Sequence, residues 1–223
     1  MKTAECSPLP TRVSPVRLRI NLPNQITILR LVLAVIFFVC LAQFQARGAV
    51  PRIWLLDLCA VLFAAAAISD IVDGYLARKH NQVTSFGRVI DPFVDKILVI
   101  GAYIFLAGDG FINSAGAKIS DVSGWMVVVI LGRELLVTSL RGVTEAGGKS
   151  FAANLYGKAK MVLQSITVVW VLLTVAHPDF FGFFFVYGRW VMLHLTVAVT
   201  FLSMIPYLWS ARDVLMQMSV TPK

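Results

Sequence analysis

Six stretches of the chain, near residues 24–42, 53–78, 87–108, 125–145, 155–176 and 189–207, are apolar and long enough to cross a bilayer, whose hydrocarbon core takes about 20 helical residues. Their number and length predict an all-α integral membrane protein with six transmembrane helices. Composition agrees: the 223 residues are 58% hydrophobic and 14% charged, with a mean hydropathy of +0.78, where a soluble domain would be about one-quarter charged. One membrane domain is expected over 21–212, preceded by a polar arm at 1–20 and followed by a tail at 213–223. The arm holds Pro8, Pro10 and Pro15 and lacks the apolar core of a cleavable signal peptide. Its residues 16–20 are too few to span and suit the membrane interface. Cys6, Cys40 and Cys59 are unclustered, so neither a disulfide nor a thiolate metal site is expected.

Against this apolar background stands DIVDGYLARKHNQVTSFGRVIDPFVD at 70–95, with four carboxylates, Asp70, Asp73, Asp91 and Asp95. Acids are costly inside a membrane, so a cluster of them marks a functional site. On helices, Asp70 and Asp73 are i, i+3 neighbours and Asp91 and Asp95 are i, i+4 neighbours, so each pair shares a face. If the two helices run antiparallel about the polar stretch 79–85, both pairs meet at one membrane surface. Four such groups repel one another unless cations lie among them. With no His or Cys in register, only oxygen ligands are on offer, which suits Mg²⁺, Mn²⁺ or Ca²⁺ over zinc. Two such ions would bridge a diphosphate and stabilise both oxygens of an in-line displacement. Gly74 and Gly87 leave room for a ligand to approach closely, and Arg78 adds a permanent cation suited to phosphate. A charge-lined ion path or a solvated helix end is the plainer alternative. Two acids would favour it; four at these spacings, with two glycines and an arginine, do not.

The pattern Asp70-x-x-Asp73-Gly74-x-x-Ala77-Arg78, eight residues, then Gly87-x-x-x-Asp91-x-x-x-Asp95 resembles the signature of the CDP-alcohol phosphatidyltransferase family, with every defining position filled. The resemblance implies an integral membrane enzyme that moves a phosphatidyl or phospho-alcohol group from a CDP-linked donor to an alcohol and releases CMP. It implies Asp70, Asp73 and Asp91 as ligands of two Mg²⁺ or Mn²⁺ ions, with Asp95 sharing one and serving as general base. Asp70, Gly74, Ala77 and Arg78 would line the CDP site. The opening Pro23-Asn24-x-x-Thr27-x-x-Arg30 is similar to the entry helix of the family's phosphatidylglycerophosphate synthases, which lies beside the nucleotide, and this adds Thr27 and Arg30 to that site. The bare residues fit equally a helix cap at Asn24 and a snorkelling Arg30.

The acceptor is read from other residues. Arg133 and Arg141, eight positions apart, lie near one helix face, and Lys158 and Lys160 open the fifth span. These four cations suit an acceptor that already carries a phosphate. The plainer readings make Arg133–Glu134 a structural pair and Arg141 a helix-end anchor. Segments 132–141 and 157–160 are similar to those of bacterial phosphatidylglycerophosphate synthases. That implies CDP-diacylglycerol and sn-glycerol 3-phosphate as substrates and phosphatidylglycerophosphate and CMP as products; the family resemblance also implies a homodimer. Phosphatidylinositol-phosphate synthesis is the runner-up, because its acceptor is phosphorylated too. A divalent-cation transporter would need polar groups across the membrane, and the outer halves of the second and third spans offer only Asp57. His194 is expected to pack rather than to ligate, 109–124 to form a loop, and 182–187 an aromatic belt at an interface.

Orientation follows from basic residues in short loops. With the N-terminus inside, Arg78, Lys79, Arg88, Arg141, Lys149, Lys158, Lys160 and Arg212 fall on the cytoplasmic side, against Arg47, Arg52, Lys118 and Arg189 opposite. This places the active site at the cytoplasmic face of the inner membrane, with both termini cytoplasmic. The net charge of +8 then suits anionic lipid headgroups rather than nucleic acid, since the basic residues border apolar spans.

Overall fold

The computed structural model describes residues 22–48, 52–80, 85–146, 155–209 and 212, without the side chains of 22–27, 70–80, 85–92, 143–146, 155, 156, 158 and 181. The arm at 1–20 and the tail at 213–223 lie outside the described residues. Six long helices succeed one another: α1 (Leu22–Ala42), α2 (Ile53–His80), α3 (Ser85–Leu106), α4 (Gly124–Ala146), α5 (Leu155–Ala176) and α6 (Pro178–Leu202). The described residues form no strand, only one isolated bridge between Ile112 and Lys118. Pro23 and Pro178 each sit in the first turn of their helices, where the missing N–H would have had no partner anyway. By length and hydropathy, Ala159–Ala176 and Gly182–Trp209 are candidate membrane spans, while Ile28–Ala42 and Ile53–Ser69 are shorter apolar helices.

In the bundle, α1 packs on α2 and α3, α5 packs on α2, α3 and α6, and α4 closes the far side between α3 and α6. The apolar core fills the half of the bundle away from the acidic segment, with Phe37 and Leu41 of α1, Leu56 and Phe63 of α2, Leu106 of α3 and Leu172 of α5 essentially inaccessible. Gly101 sets how closely α1 and α3 approach: a Cβ there would lie 2.5 Å from Cζ of Phe38. Polar side chains also tie α5 to α6, through Thr167 to Thr196 (2.7 Å) and Gln164 Nε2 donating to Thr200 Oγ1 (3.0 Å). Between helices in lipid such bonds contribute roughly 0.6–2 kcal/mol each.

The outside of the bundle is apolar too. Val35, Val61, Val128, Leu135, Ile166 and Leu195 are all exposed, an extent of apolar surface that soluble monomers rarely show.

Two expectations need correction. The stretch 109–124 is more than a loop: it holds a 3-10 turn, Asp109–Phe111, whose Phe111 is buried against Phe44. Lys118 Nζ and Ser120 Oγ donate to the end carbonyls of α3, those of Ala107 (2.5 Å) and Leu106 (2.6 Å), satisfying acceptors that a helix end leaves open. Nor does the sixth helix begin at 189. Helical turns start at Pro178, Gly182 interrupts them with non-helical φ 67° and ψ 176°, a conformation open to glycine without strain, and the helix resumes beyond that kink through the aromatic belt to Leu202. Phe180, Phe183 and Phe184 stand almost fully exposed around that bend. At the same end of the bundle His177 Nε2 meets Asp57 Oδ1 at 2.8 Å and Arg189 grips Asp121 at 2.6 Å. His194 packs on the Trp190 ring, with centroids 4.0 Å apart, and its Nδ1 lies 2.8 Å from the Trp190 carbonyl oxygen.

Candidate active site

The acidic segment spans the second half of α2 and the first half of α3. Asp70, Asp73, Gly74, Ala77 and Arg78 are helical residues of α2, and Asp91 of α3; their side chains lie outside the described residues, as do those of Thr27 and Lys158. Asp95 is the one signature acid whose side chain is described. Its neighbours Val94 and Leu98 are buried in the bundle, so the pitch of α3 carries Asp95 toward the interior on the adjoining face. There Asp95 borders two cavities at once.

The first cavity, about 220 Å³, lies between α2, α3 and α5 and is lined by Phe63, Ala66, Ala67, Ile68, Leu98, Val99, Met161, Val162, Ser165 and Ile166 besides Asp95. Ile68 is two residues short of Asp70, so the described part of this wall leads to the first aspartate pair. The second, about 270 Å³, lies between α3, α4 and α5. It is lined by Asp95, Lys96, Val99, Ile100, Glu134, Arg141, Lys160, Met161 and Gln164. One cavity is almost wholly apolar; the other brings together two acids, Asp95 and Glu134, and three cations, Lys96, Arg141 and Lys160.

Charges around Asp95 are arranged by α1 and α4. Arg30, fully buried, places NH1 at 2.9 Å from Asp95 Oδ1, while the Asp95 side chain keeps 18% of its surface accessible. The candidate nucleotide-site arginine is thus held against the candidate base rather than snorkelling outward. On α4, Glu134 meets two cations. Its Oε1 accepts from Arg133 NH1 at 3.2 Å and from Lys160 Nζ. Arg133 also donates Nε–H to Ser203 Oγ (3.0 Å) and lies 5.4 Å over the Tyr207 ring. A planar guanidinium with several fixed donors suits such a junction.

Of the four acceptor-site candidates, the structure therefore brings Arg141 and Lys160 to the cavity that Asp95 borders. Arg133 is turned toward α6 and does not line it. Lys96 does line it and was missed in the sequence, although it stands next to Asp95; its Nζ donates to Thr138 Oγ1 at 2.5 Å. Gln164, also unforeseen, joins the same wall. No group of three or more His, Cys, Asp or Glu side chains suited to a metal is found among the described residues.

Chemically, this is a carboxylate on a fixed arginine, opening on one side to an apolar groove and on the other to a cationic cavity. The sequence matches the CDP-alcohol phosphatidyltransferase family over residues 20–205. Among curated relatives it is 41% identical over 160 residues to a Bacillus subtilis protein named CDP-diacylglycerol–glycerol-3-phosphate 3-phosphatidyltransferase, covering 69% of this chain and 77% of that protein. A protein of the same name from Yersinia pestis is 31% identical over 200 residues, 87% of this chain and 96% of the relative. Another from Rickettsia bellii is 37% identical over 144 residues, 65% of this chain and 70% of the relative.

Proposed function

Since the chain belongs to the CDP-alcohol phosphatidyltransferase family, we propose that it transfers the phosphatidyl group of CDP-diacylglycerol to sn-glycerol 3-phosphate, giving phosphatidylglycerophosphate and CMP. The relatives carry that activity in their names. The observation that carries the reading to this chain is the cavity shared by Asp95, Arg141 and Lys160: a carboxylate able to take a hydroxyl proton and cations able to hold a phosphate line one volume. The acceptor hydroxyl attacks the donor's β-phosphorus, Asp95 receives its proton, and the bond to the CMP phosphate breaks. Arg30 fixes the Asp95 carboxylate through Oδ1 at 2.9 Å and so orients it for that proton.

In this reading Asp70, Asp73 and Asp91 hold two Mg²⁺ or Mn²⁺ ions, with Asp95 sharing one. An all-carboxylate donor set fits such hard cations. Bound there, they would supply charge stabilisation to the transferring phosphate. Gly74, Ala77, Arg78 and Thr27 take the CDP moiety. Lys158 joins Arg141 and Lys160 on the acceptor phosphate, and Arg133 supports them through Glu134. The apolar exterior of the bundle supports six membrane-crossing helices, the basic residues of the short loops support acids at the cytoplasmic face of the inner membrane, and a homodimer completes the reading.

Purified protein given CDP-diacylglycerol and Mg²⁺ is expected to release CMP with glycerol 3-phosphate and far less with inositol phosphate, serine or choline. Preference for inositol phosphate would keep the family and overturn the product. Arg141→Gln should raise KM for glycerol 3-phosphate about 10- to 150-fold, the equivalent of 1.5–3 kcal/mol for a charged hydrogen bond, and leave KM for CDP-diacylglycerol nearly unchanged. An unchanged acceptor KM with lower stability alone would make Arg141 a helix-end anchor.

A further inference from the structure

The charges around the Asp95 cavity are not equally committed. Arg30 is taken up by Asp95. Lys160 and Arg133 both draw on Glu134. Lys96 differs: its hydrogen bond goes to a neutral hydroxyl, Thr138 Oγ1, and it has no ion pair among the described residues. Thr138 in turn donates its own hydrogen to the Glu134 carbonyl at 2.7 Å, so its oxygen presents a lone pair to Lys96 and nothing more. A lysine ammonium has three donors, and Thr138 occupies one.

The surroundings of Lys96 sharpen the point. It lines the cavity with Asp95, Arg141 and Lys160. It also lines a second volume of about 440 Å³ between α3 and α4, whose other walls are mostly apolar, among them Ile97, Ile100 and Leu131, with Glu134 the one carboxylate. The carboxylates that share these volumes with Lys96 are held by other cations, Asp95 by Arg30 and Glu134 by Arg133 and Lys160, so among the described residues no ion pair supplies the counter-charge that such a position calls for. An anionic ligand supplies it. Consecutive residues on a helix point about 100° apart, so Lys96 and Asp95 face different sectors of one cavity wall. A small molecule held at one end by Lys96 still presents its other end to Asp95.

We propose that Lys96 grips the phosphate monoester of the acceptor alcohol, with Thr138 as its resting partner, and so helps select phosphorylated acceptors over neutral ones. This rests on the transferase reading above. A lysine suits the role because it is a compact point charge on a flexible stem, able to leave a neutral hydroxyl for a dianion.

The test is steady-state kinetics of CMP release, with each substrate varied in turn. Lys96→Met removes charge and donor; Lys96→Gln, which retains a donor for Thr138, carries the same measurement if the methionine variant does not fold. The expected result for either is a KM for glycerol 3-phosphate raised about 10- to 100-fold, with kcat at saturating acceptor and KM for CDP-diacylglycerol little changed. Lys96→Arg is expected to restore most of the acceptor affinity. A rise confined to the CDP-diacylglycerol KM places the cation on the lipid donor's phosphates and overturns the proposal, as does an unchanged acceptor KM or an equal fall in kcat with all KM values intact. Wild-type protein that fails to use glycerol 3-phosphate overturns the transferase reading itself, a failure visible before any variant is made.

Discussion

Asp91→Asn is expected to reduce turnover by roughly 10³-fold or more while the protein still inserts, purifies and melts as the wild type does. Asparagine has nearly the shape of aspartate but one neutral amide in place of a charged oxygen, so packing is spared and a hard cation loses a ligand. Such a cation contributes several kcal/mol of charge stabilisation to the transition state, and each 1.36 kcal/mol is a factor of ten in rate. The same size of loss is expected for Asp70→Asn, and chelation of divalent cations should silence the wild type until Mg²⁺ or Mn²⁺ is returned. Activity that survives excess chelator, or an Asp91→Asn enzyme of normal rate, would remove the metal ions from the proposed chemistry.

The second large effect concerns folding. Glu134→Gln is expected to destabilise the protein by about 3–5 kcal/mol, because it leaves cations buried without their counter-charge. Lys160 is only 1% exposed and Arg133 6%, and both rely on one Glu134 oxygen. The amide of glutamine still accepts one hydrogen bond, but it cannot neutralise two positive charges in a bundle interior. Equilibrium unfolding in detergent micelles reads this directly. The double variant Glu134→Gln/Lys160→Met should regain much of the loss, since it removes one orphaned charge together with its partner. If the single variant loses under about 1 kcal/mol, the triad is solvated and its burial does not hold it together.

Much of this architecture is written in the chain's hydropathy. The apolar stretches place all six helices within a few residues of their observed positions, except where a single glycine decides the outcome. At Gly182 the sequence reads as a break, since glycine and aromatic residues crowd there after His177-Pro178. In the fold one positive φ does interrupt the helix there, with helical turns on both sides of the kink. The local pattern marks the break but not that the helix resumes directly after it. The loop at 109–124 was legible as irregular backbone but not as an ordered cap, because its order comes from Lys118 and Ser120 reaching carbonyls of α3, contacts that no spacing rule encodes. Asp95 was found by its register with Asp91. Lys96 was overlooked because a lysine beside an acid ordinarily reads as its screening partner. Only the packing of α3 against α4 shows that it turns instead to Thr138. Arg30, read as either a ligand of the nucleotide or a snorkelling cation, lies against Asp95, a pairing across 65 residues that sequence periodicity cannot foresee.

If α2 crosses the bilayer and its aspartates carry the transfer, as proposed above, its length has a consequence of its own for where the chemistry takes place. Its 28 residues make a rod of about 42 Å at 1.5 Å per residue, whereas a hydrocarbon core is about 30 Å thick. The apolar portion, Ile53–Ser69, accounts for about 25 Å of that rod. A bilayer that covers it leaves Asp70 and the turns beyond at headgroup depth, protruding toward water. A donor anchored by two acyl chains then has no need to pull its diphosphate down into oil or lift its tails out of it. Both parts of the molecule keep the environment they prefer, and the helix acts as a gauge that fixes the plane of transfer relative to the leaflet.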